Sequence, residues 1–125
     1  MLKQLLIVGL GGGVGSIFRY LTSALTARFY GGGFPVATLF ANLAGCFLIG
    51  VFAGLLAQHI PVNGSLRLLL ITGFCGGYTT FSAFSLENLN LFQQNLPAAI
   101  VYIALSVAGG IAAVWAGMAL AGAAR

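Results

Sequence analysis

Charge is nearly missing from this sequence. Lysine, arginine, aspartate and glutamate together fill 5% of its 125 positions, and Glu87 is the sole acid. A soluble domain carries charge at about a quarter of its positions, so a soluble globular class is excluded. The five basic residues, Lys3, Arg19, Arg28, Arg67 and Arg125, stand singly. Nucleic-acid surfaces cluster theirs, and that partner class falls away too. Histidine is equally scarce: His59, on an expected loop, and Glu87, on an expected span, assemble no triad and no metal cluster. No enzyme activity is expected. Cys46 and Cys75 form no CxxC and read as small buried hydrophobes. The glycine string Gly9–Gly15 has no exact G-x-G-x-x-G, no preceding strand and no acid about 20 residues on, so it is no dinucleotide loop.

What remains is hydrocarbon. Hydrophobic residues make up 60% of the chain and mean hydropathy is +1.06. The apolar runs reach roughly 20 residues, the length of a membrane-crossing helix and not of the alternating ~10-residue strands of a barrel. The N-terminal run lacks a clean small-residue cleavage site and reads as a retained helix, not a signal peptide. An all-α integral membrane protein follows, with one domain over 1–125.

Turn chemistry divides it. Tyr30-Gly-Gly-Gly-Phe-Pro35, the segment from Gln58 to Gly64, and Gln93-Gln-Asn-Leu-Pro97 are breaks. They predict spans over 4–28, 36–57, 65–92 and 98–122. The third is too long: its 28 residues at ~1.5 Å each reach ~42 Å against a hydrocarbon core of ~30 Å. It must tilt or be interrupted. Gly76-Gly-Tyr-Thr-Thr80 is poor helix, and a break there would release backbone groups at bilayer depth. Freed carbonyls suit a cation such as sodium, and half-helix N-termini suit an anion. Phe81 and Phe84, three apart, share a face; their positive ring edges could hold a small hard anion, or they are ordinary packing residues.

Orientation is weakly specified. Lys3, Arg67 and Arg125 fall on one side and Arg28 on the other, which leans N-in with a bias small enough to permit insertion both ways. Four short helices hardly enclose a site alone, so self-association is expected. Gly109, Ala113, Gly117 and Ala121 recur every four residues, and Gly9/Gly13, Gly11/Gly15 and Gly50/Gly54 are further small pairs; they serve packing within a subunit or between subunits. Polar residues also keep to faces. Thr38, Asn42 and Cys46 line one side of the second span, and Tyr102, Ser106 and Gly110 one side of the fourth. Thr38 and Ser106 read best as interhelical hydrogen bonds, whereas the Asn42 amide must find several partners or serve a passing anion. Arg19, deep in the first span, is a cationic lure at a vestibule, an ion-pair partner of Glu87, or a snorkelling headgroup anchor.

These residues also carry a resemblance. Gly73–Glu87, GFCGGYTTFSAFSLE, resembles the third-span signature GFxGGxTTFSTFSxE of the small bacterial fluoride channels, the Fluc or CrcB family. Gly11-Gly-Gly-Val-Gly-Ser-Ile-Phe-Arg19 resembles the family's GGxxGxxxR, and Pro35–Gly45 its GTLxxNxxG. The resemblance implies a passive exporter of cytoplasmic fluoride in the bacterial inner membrane, built as an antiparallel, dual-topology homodimer with two pores and a third helix broken mid-membrane. It implies that Phe81 and Phe84 present ring edges to fluoride, with Asn42, Ser82, Tyr102, Ser106 and Thr38 along the pathway. Arg19 would lie at the vestibule and Glu87 at the end of the polar track. Gly76 and Thr79 would offer carbonyls to a structural sodium at the dimer centre. Three positions depart from the pattern: Ala83 for threonine, Ala37 for glycine, and Tyr78 for an aliphatic residue. Two other classes stay in view: a proton-coupled four-helix exporter using Glu87, and a non-transporting membrane assembly subunit.

Overall fold

A computed structural model describes residues 1–58 and 64–122 of the chain. The described residues are all-helical. They form α1 (Leu2–Phe29), α2 (Val36–Gln58), α3 (Gly64–Arg67), a widened π-helical segment (Leu68–Cys75), α4 (Gly76–Tyr78), α5 (Phe81–Gln94) and α6 (Leu96–Leu120). Four runs are long and apolar enough to cross a membrane: Leu2–Phe29, Val36–Gln58, Gly64–Gln94 and Leu96–Leu120. The chain is a multi-pass membrane protein. Of the expected breaks, the one from Gln58 to Gly64 falls largely outside the described residues, as do His59 and Arg125.

Local chemistry explains the visible ends. α1 stops before the glycine run, and Tyr30, with φ −134° and ψ 111°, returns its amide to Thr26. Pro35 then accepts the first turn of α2 from the Leu39 amide. Asn95 serves two helices at once: its amide closes α5 on Leu91, and its Oδ1 accepts from Ala98 at 3.1 Å to cap α6, with Pro97 in the first turn.

The packing is inverted relative to a soluble protein. Buried positions in the spans are mostly small, with Gly11 and Gly15 the only ones in α1, and Ala41, Gly45, Gly50 and Gly54 those of α2. Large apolar side chains such as Leu10, Phe18 and Trp115 point outward, the last at 67% exposure. In lipid, helices gain by close van der Waals approach and not by hiding leucines. α1 accordingly lies against the π-helical segment and α4, and α2 against α6. A methyl on Gly15 would strike the Phe74 carbonyl, and one on Gly50 the Val114 carbonyl. Gly117 of the fourth-span ladder packs the same way onto Phe47, so Gly15, Gly50 and Gly117 serve packing within the subunit. Gly9 and Gly13 meet nothing within 4 Å.

Within Gly76–Thr80, the stretch expected to interrupt the third span, the two glycines stay helical. Gly76 holds φ −62° and ψ −35°, and α4 carries helix through Gly77 and Tyr78. The smallness of Gly77 is used for approach: a Cβ there would lie 2.9 Å from the Gly12 Cα, whereas one on Gly76 would meet nothing within 4 Å. The extended residues are the last two of that stretch, Thr79 (φ −83°, ψ 159°) and Thr80 (φ −150°, ψ 121°).

Candidate functional site

The two polar stripes meet around α5. From α2, Thr38 donates its hydroxyl to Glu87 Oε1 at 2.7 Å; from α6, Tyr102 donates its phenol to Glu87 Oε2 at 2.7 Å. Both oxygens of the lone carboxylate are therefore engaged. Tyr102 is 0% exposed. Phe34 meets it edge-on at 5.5 Å between ring centres, and Phe84 packs on it at 5.1 Å. Phe81 lies one step further along α5, 5.7 Å from Phe84, with 79% of its surface open. The shared face expected of the two phenylalanines is present, with Phe84 wedged and Phe81 free.

Asn42 is held by backbone. Its Nδ2 donates to the Thr80 carbonyl at 3.0 Å, and its Oδ1 accepts the Thr80 amide hydrogen at 2.7 Å. A side-chain amide thus pairs with one extended residue as a neighbouring strand would. Thr80 in turn caps α5: its Oγ1 accepts from the Ala83 amide at 3.3 Å and lies 3.4 Å from the Ser82 hydroxyl. Capping of this kind satisfies one of the orphan amides of the first turn, at the positive end of the α5 dipole.

Two cavities flank this pairing. One, of about 440 Å³, is lined by Asn42, Cys46, Gly76, Thr79, Phe81, Phe84 and Ser106, among others. The other, about 330 Å³, is lined by Ser16, Arg19, Ser23, Thr38, Thr80 and Glu87 with their neighbours. Arg19 and Glu87 share that second cavity, but among the described residues no ion pair joins them. Each Glu87 oxygen instead accepts a hydroxyl, from Thr38 and from Tyr102. Ser106 does not make the interhelical hydrogen bond expected of it: its Oγ is buried without a partner on the wall of the larger cavity.

The carbonyls of Gly76 and Thr79 are released from the helical ladder. The Thr79 amide bonds the Cys75 carbonyl and the Thr80 amide bonds Asn42, so the usual donors do not reach Gly76. The Ala83 amide turns to Thr80 Oγ1, which spares the Thr79 carbonyl. Gly76 and Thr79 both line the larger cavity, and hard carbonyl oxygens there would suit a hard cation such as sodium, holding it in part.

Several participants escape a reading by residue type. Thr80 is one, although a threonine just ahead of a helical run is an N-cap signal. Asn88 is another: it is 5% exposed, donates Nδ2 to the Phe84 carbonyl at 2.9 Å, and its Oδ1 has no partner. Nothing in its spacing distinguishes it from a surface amide.

Comparison with known proteins places the chain. The family profile described as CrcB-like protein, camphor resistance (CrcB), matches residues 6–118. A protein of Flavobacterium psychrophilum named fluoride-specific ion channel FluC is 48% identical over 121 residues, 96% of this chain and 98% of that one. Its namesake in Rhizobium etli is 49% identical over 118 residues, 94% of each chain. The namesake in Azobacteroides pseudotrichonymphae is 43% identical over 121 residues, 96% of this chain and 97% of its own. The chain belongs to the CrcB family.

Within the CrcB pattern, two of the three departures have visible surroundings. Tyr78 reaches the Thr22 hydroxyl at 3.1 Å and stacks on Phe74 at 5.9 Å, so its extra polar atom is matched on α1. Ala83 lines the smaller cavity, where a threonine would add a hydroxyl near Glu87. Ala37 sits in the first turn of α2, and nothing nearby explains it.

Proposed function

We propose that this chain is a fluoride-selective channel, carrying fluoride passively out of the cell across the inner membrane and so relieving its toxicity. The carrying observation is near-full-length identity of 48% to a protein named fluoride-specific ion channel FluC. The site supports the same reading. Fluoride is small and strongly hydrated, so a channel must replace its water with fixed donors. Phe81 and Phe84 offer ring edges, α5 its N-terminal dipole, and Ser82, Ser106, Thr38 and Tyr102 their hydroxyls, beside the Asn42 amide. Arg19, clear of Glu87, would draw anions to the smaller cavity. No enzyme activity belongs to this reading.

The working unit we infer is an antiparallel, dual-topology homodimer of single-domain subunits. A face that leaves the Phe81 ring 79% open beside an uncovered cleft is consistent with a second copy closing it. The extended Thr79–Thr80 pair would then be the mid-membrane break of the third span. The Gly76 and Thr79 carbonyls of both subunits would hold sodium at the centre, where its fixed charge ties the two copies together.

Anion efflux from liposomes holding purified protein tests the function. Rapid fluoride efflux with little chloride efflux is expected; equal rates, or none, would refute it. A proton-exchanging exporter built on Glu87 is not favoured, because the relatives matched over nearly the full chain are named fluoride-specific ion channels. A non-transporting assembly subunit leaves the released carbonyls and the phenylalanine pair without a use.

A further inference from the structure

The pairing of Asn42 with Thr80 does more than satisfy a buried amide. In an uninterrupted helix the Thr80 amide hydrogen would return to the carbonyl of Gly76, four residues back. Here it goes to Asn42 Oδ1 at 2.7 Å, and the Thr80 carbonyl receives Nδ2 at 3.0 Å. Gly76 has ordinary helical dihedrals and so does not itself end the helix. No proline stands between Gly76 and Phe81 to deny the hydrogen bond covalently. Among the described residues, the group that takes the Thr80 amide is a side chain from another span.

We propose that Asn42 is a positioning residue for the cation site: by accepting the Thr80 amide hydrogen it keeps the Gly76 carbonyl free to bind sodium. This inference rests on the sodium site under the proposed function and adds the residue that creates it. It also separates the two halves of the amide. Oδ1 holds the backbone open, while the second hydrogen of Nδ2, not used by Thr80, remains for the anion side of the cleft. One asparagine then links a cation site to an anion path through a single peptide unit.

The two halves can be removed one at a time. Asn42→Asp keeps an acceptor for the Thr80 amide and discards the donor. Asn42→Leu discards both at similar volume. The measurement is sodium binding by the full-length purified protein, read as the rise in melting temperature when sodium chloride is titrated into potassium buffer. Size-exclusion chromatography of each variant reports assembly. With Leu at position 42 the Thr80 amide returns to Gly76, and apparent sodium affinity should fall about tenfold or more, the worth of one regained helical hydrogen bond. The aspartate variant should bind within about threefold of the parent or more tightly, since it keeps the acceptor and adds a negative charge, and yet lose fluoride efflux. If the leucine variant does not assemble, Asn42→Ala carries the same expectation. Parent-like affinity in the leucine or alanine variant would overturn the inference while leaving the channel intact, as would an aspartate variant as weak as leucine. No saturable sodium effect on the parent would sink the sodium site itself and the inference with it. Absence of fluoride efflux from the parent instead strikes the function.

Discussion

Tyr102, buried to 0% exposure on α6, donates its phenol to Glu87 Oε2 on α5 at 2.7 Å. The only acid of the chain is thereby fixed against an aromatic wall formed by Phe34 and Phe84. Replacing Tyr102 by phenylalanine keeps the ring packing and removes only the donor. A hydrogen bond to a charged group contributes about 1.5–3 kcal/mol, so Tyr102→Phe should lower stability by about that amount. Denaturation in detergent, with fluoride efflux measured in parallel, checks it, and an unchanged midpoint would mean the bond contributes nothing.

The two phenylalanines should behave differently. Phe81 is 79% exposed, so Phe81→Ile should leave the subunit's own stability nearly unchanged. Phe84 packs on Tyr102, and Phe84→Ile should destabilise it by about 0.5–1.5 kcal/mol through the lost aromatic pair. Both should cut fluoride efflux by roughly tenfold or more, a loss of about 1.4 kcal/mol in stabilising the passing anion. Efflux at the parent rate in both variants would remove the ring edges from the path.

Close approach of α1 to the third span has a direct test. A Cβ on Gly15 meets the Phe74 carbonyl and lies 2.8 Å from the Tyr78 amide, contacts that backbone cannot vacate. Gly15→Ala should therefore cost about 1–3 kcal/mol. Gly9→Ala, with nothing within 4 Å, should be neutral or gain up to about 1 kcal/mol from helix propensity. Thermal melts of the two variants should diverge; equal melts would contradict the packing.

The Tyr78 phenol and Thr22 hydroxyl, 3.1 Å apart, form a pair that bridges α1 and α4. A double-mutant cycle with Tyr78→Phe and Thr22→Val should return a coupling of about 0.6 kcal/mol, the average for hydrogen bonds between membrane helices. Coupling near zero would mean that the tyrosine is held by its stacking on Phe74 alone.

Much of this protein is determined by residue type read along the chain. Near-absence of charge and long apolar runs allow only membrane helices, because no other open structure satisfies its backbone in lipid. The Tyr30–Pro35 turn and the Asn95-Leu-Pro97 cap end helices by local chemistry that involves nothing distant. Periodicity put Thr38, Asn42 and Cys46 on one face, Tyr102 and Ser106 on another, and Phe81 with Phe84, since a helix repeats every 3.6 residues whatever surrounds it. Partners were decided elsewhere. Arg19 and Glu87, opposite charges in a chain that is almost without charge, share a cavity and yet do not pair, and the carboxylate is instead met by Thr38 and Tyr102 from two other spans. Gly76 and Gly77 suggested a helix break by weak propensity, but they stay helical, and Gly77 lets α1 come close. The extension falls at Thr79 and Thr80, where Asn42 of another span competes for the backbone. Propensity is a local energy of about 1 kcal/mol, and a buried amide with two backbone partners outweighs it. Such a partner exists only once the helices have packed.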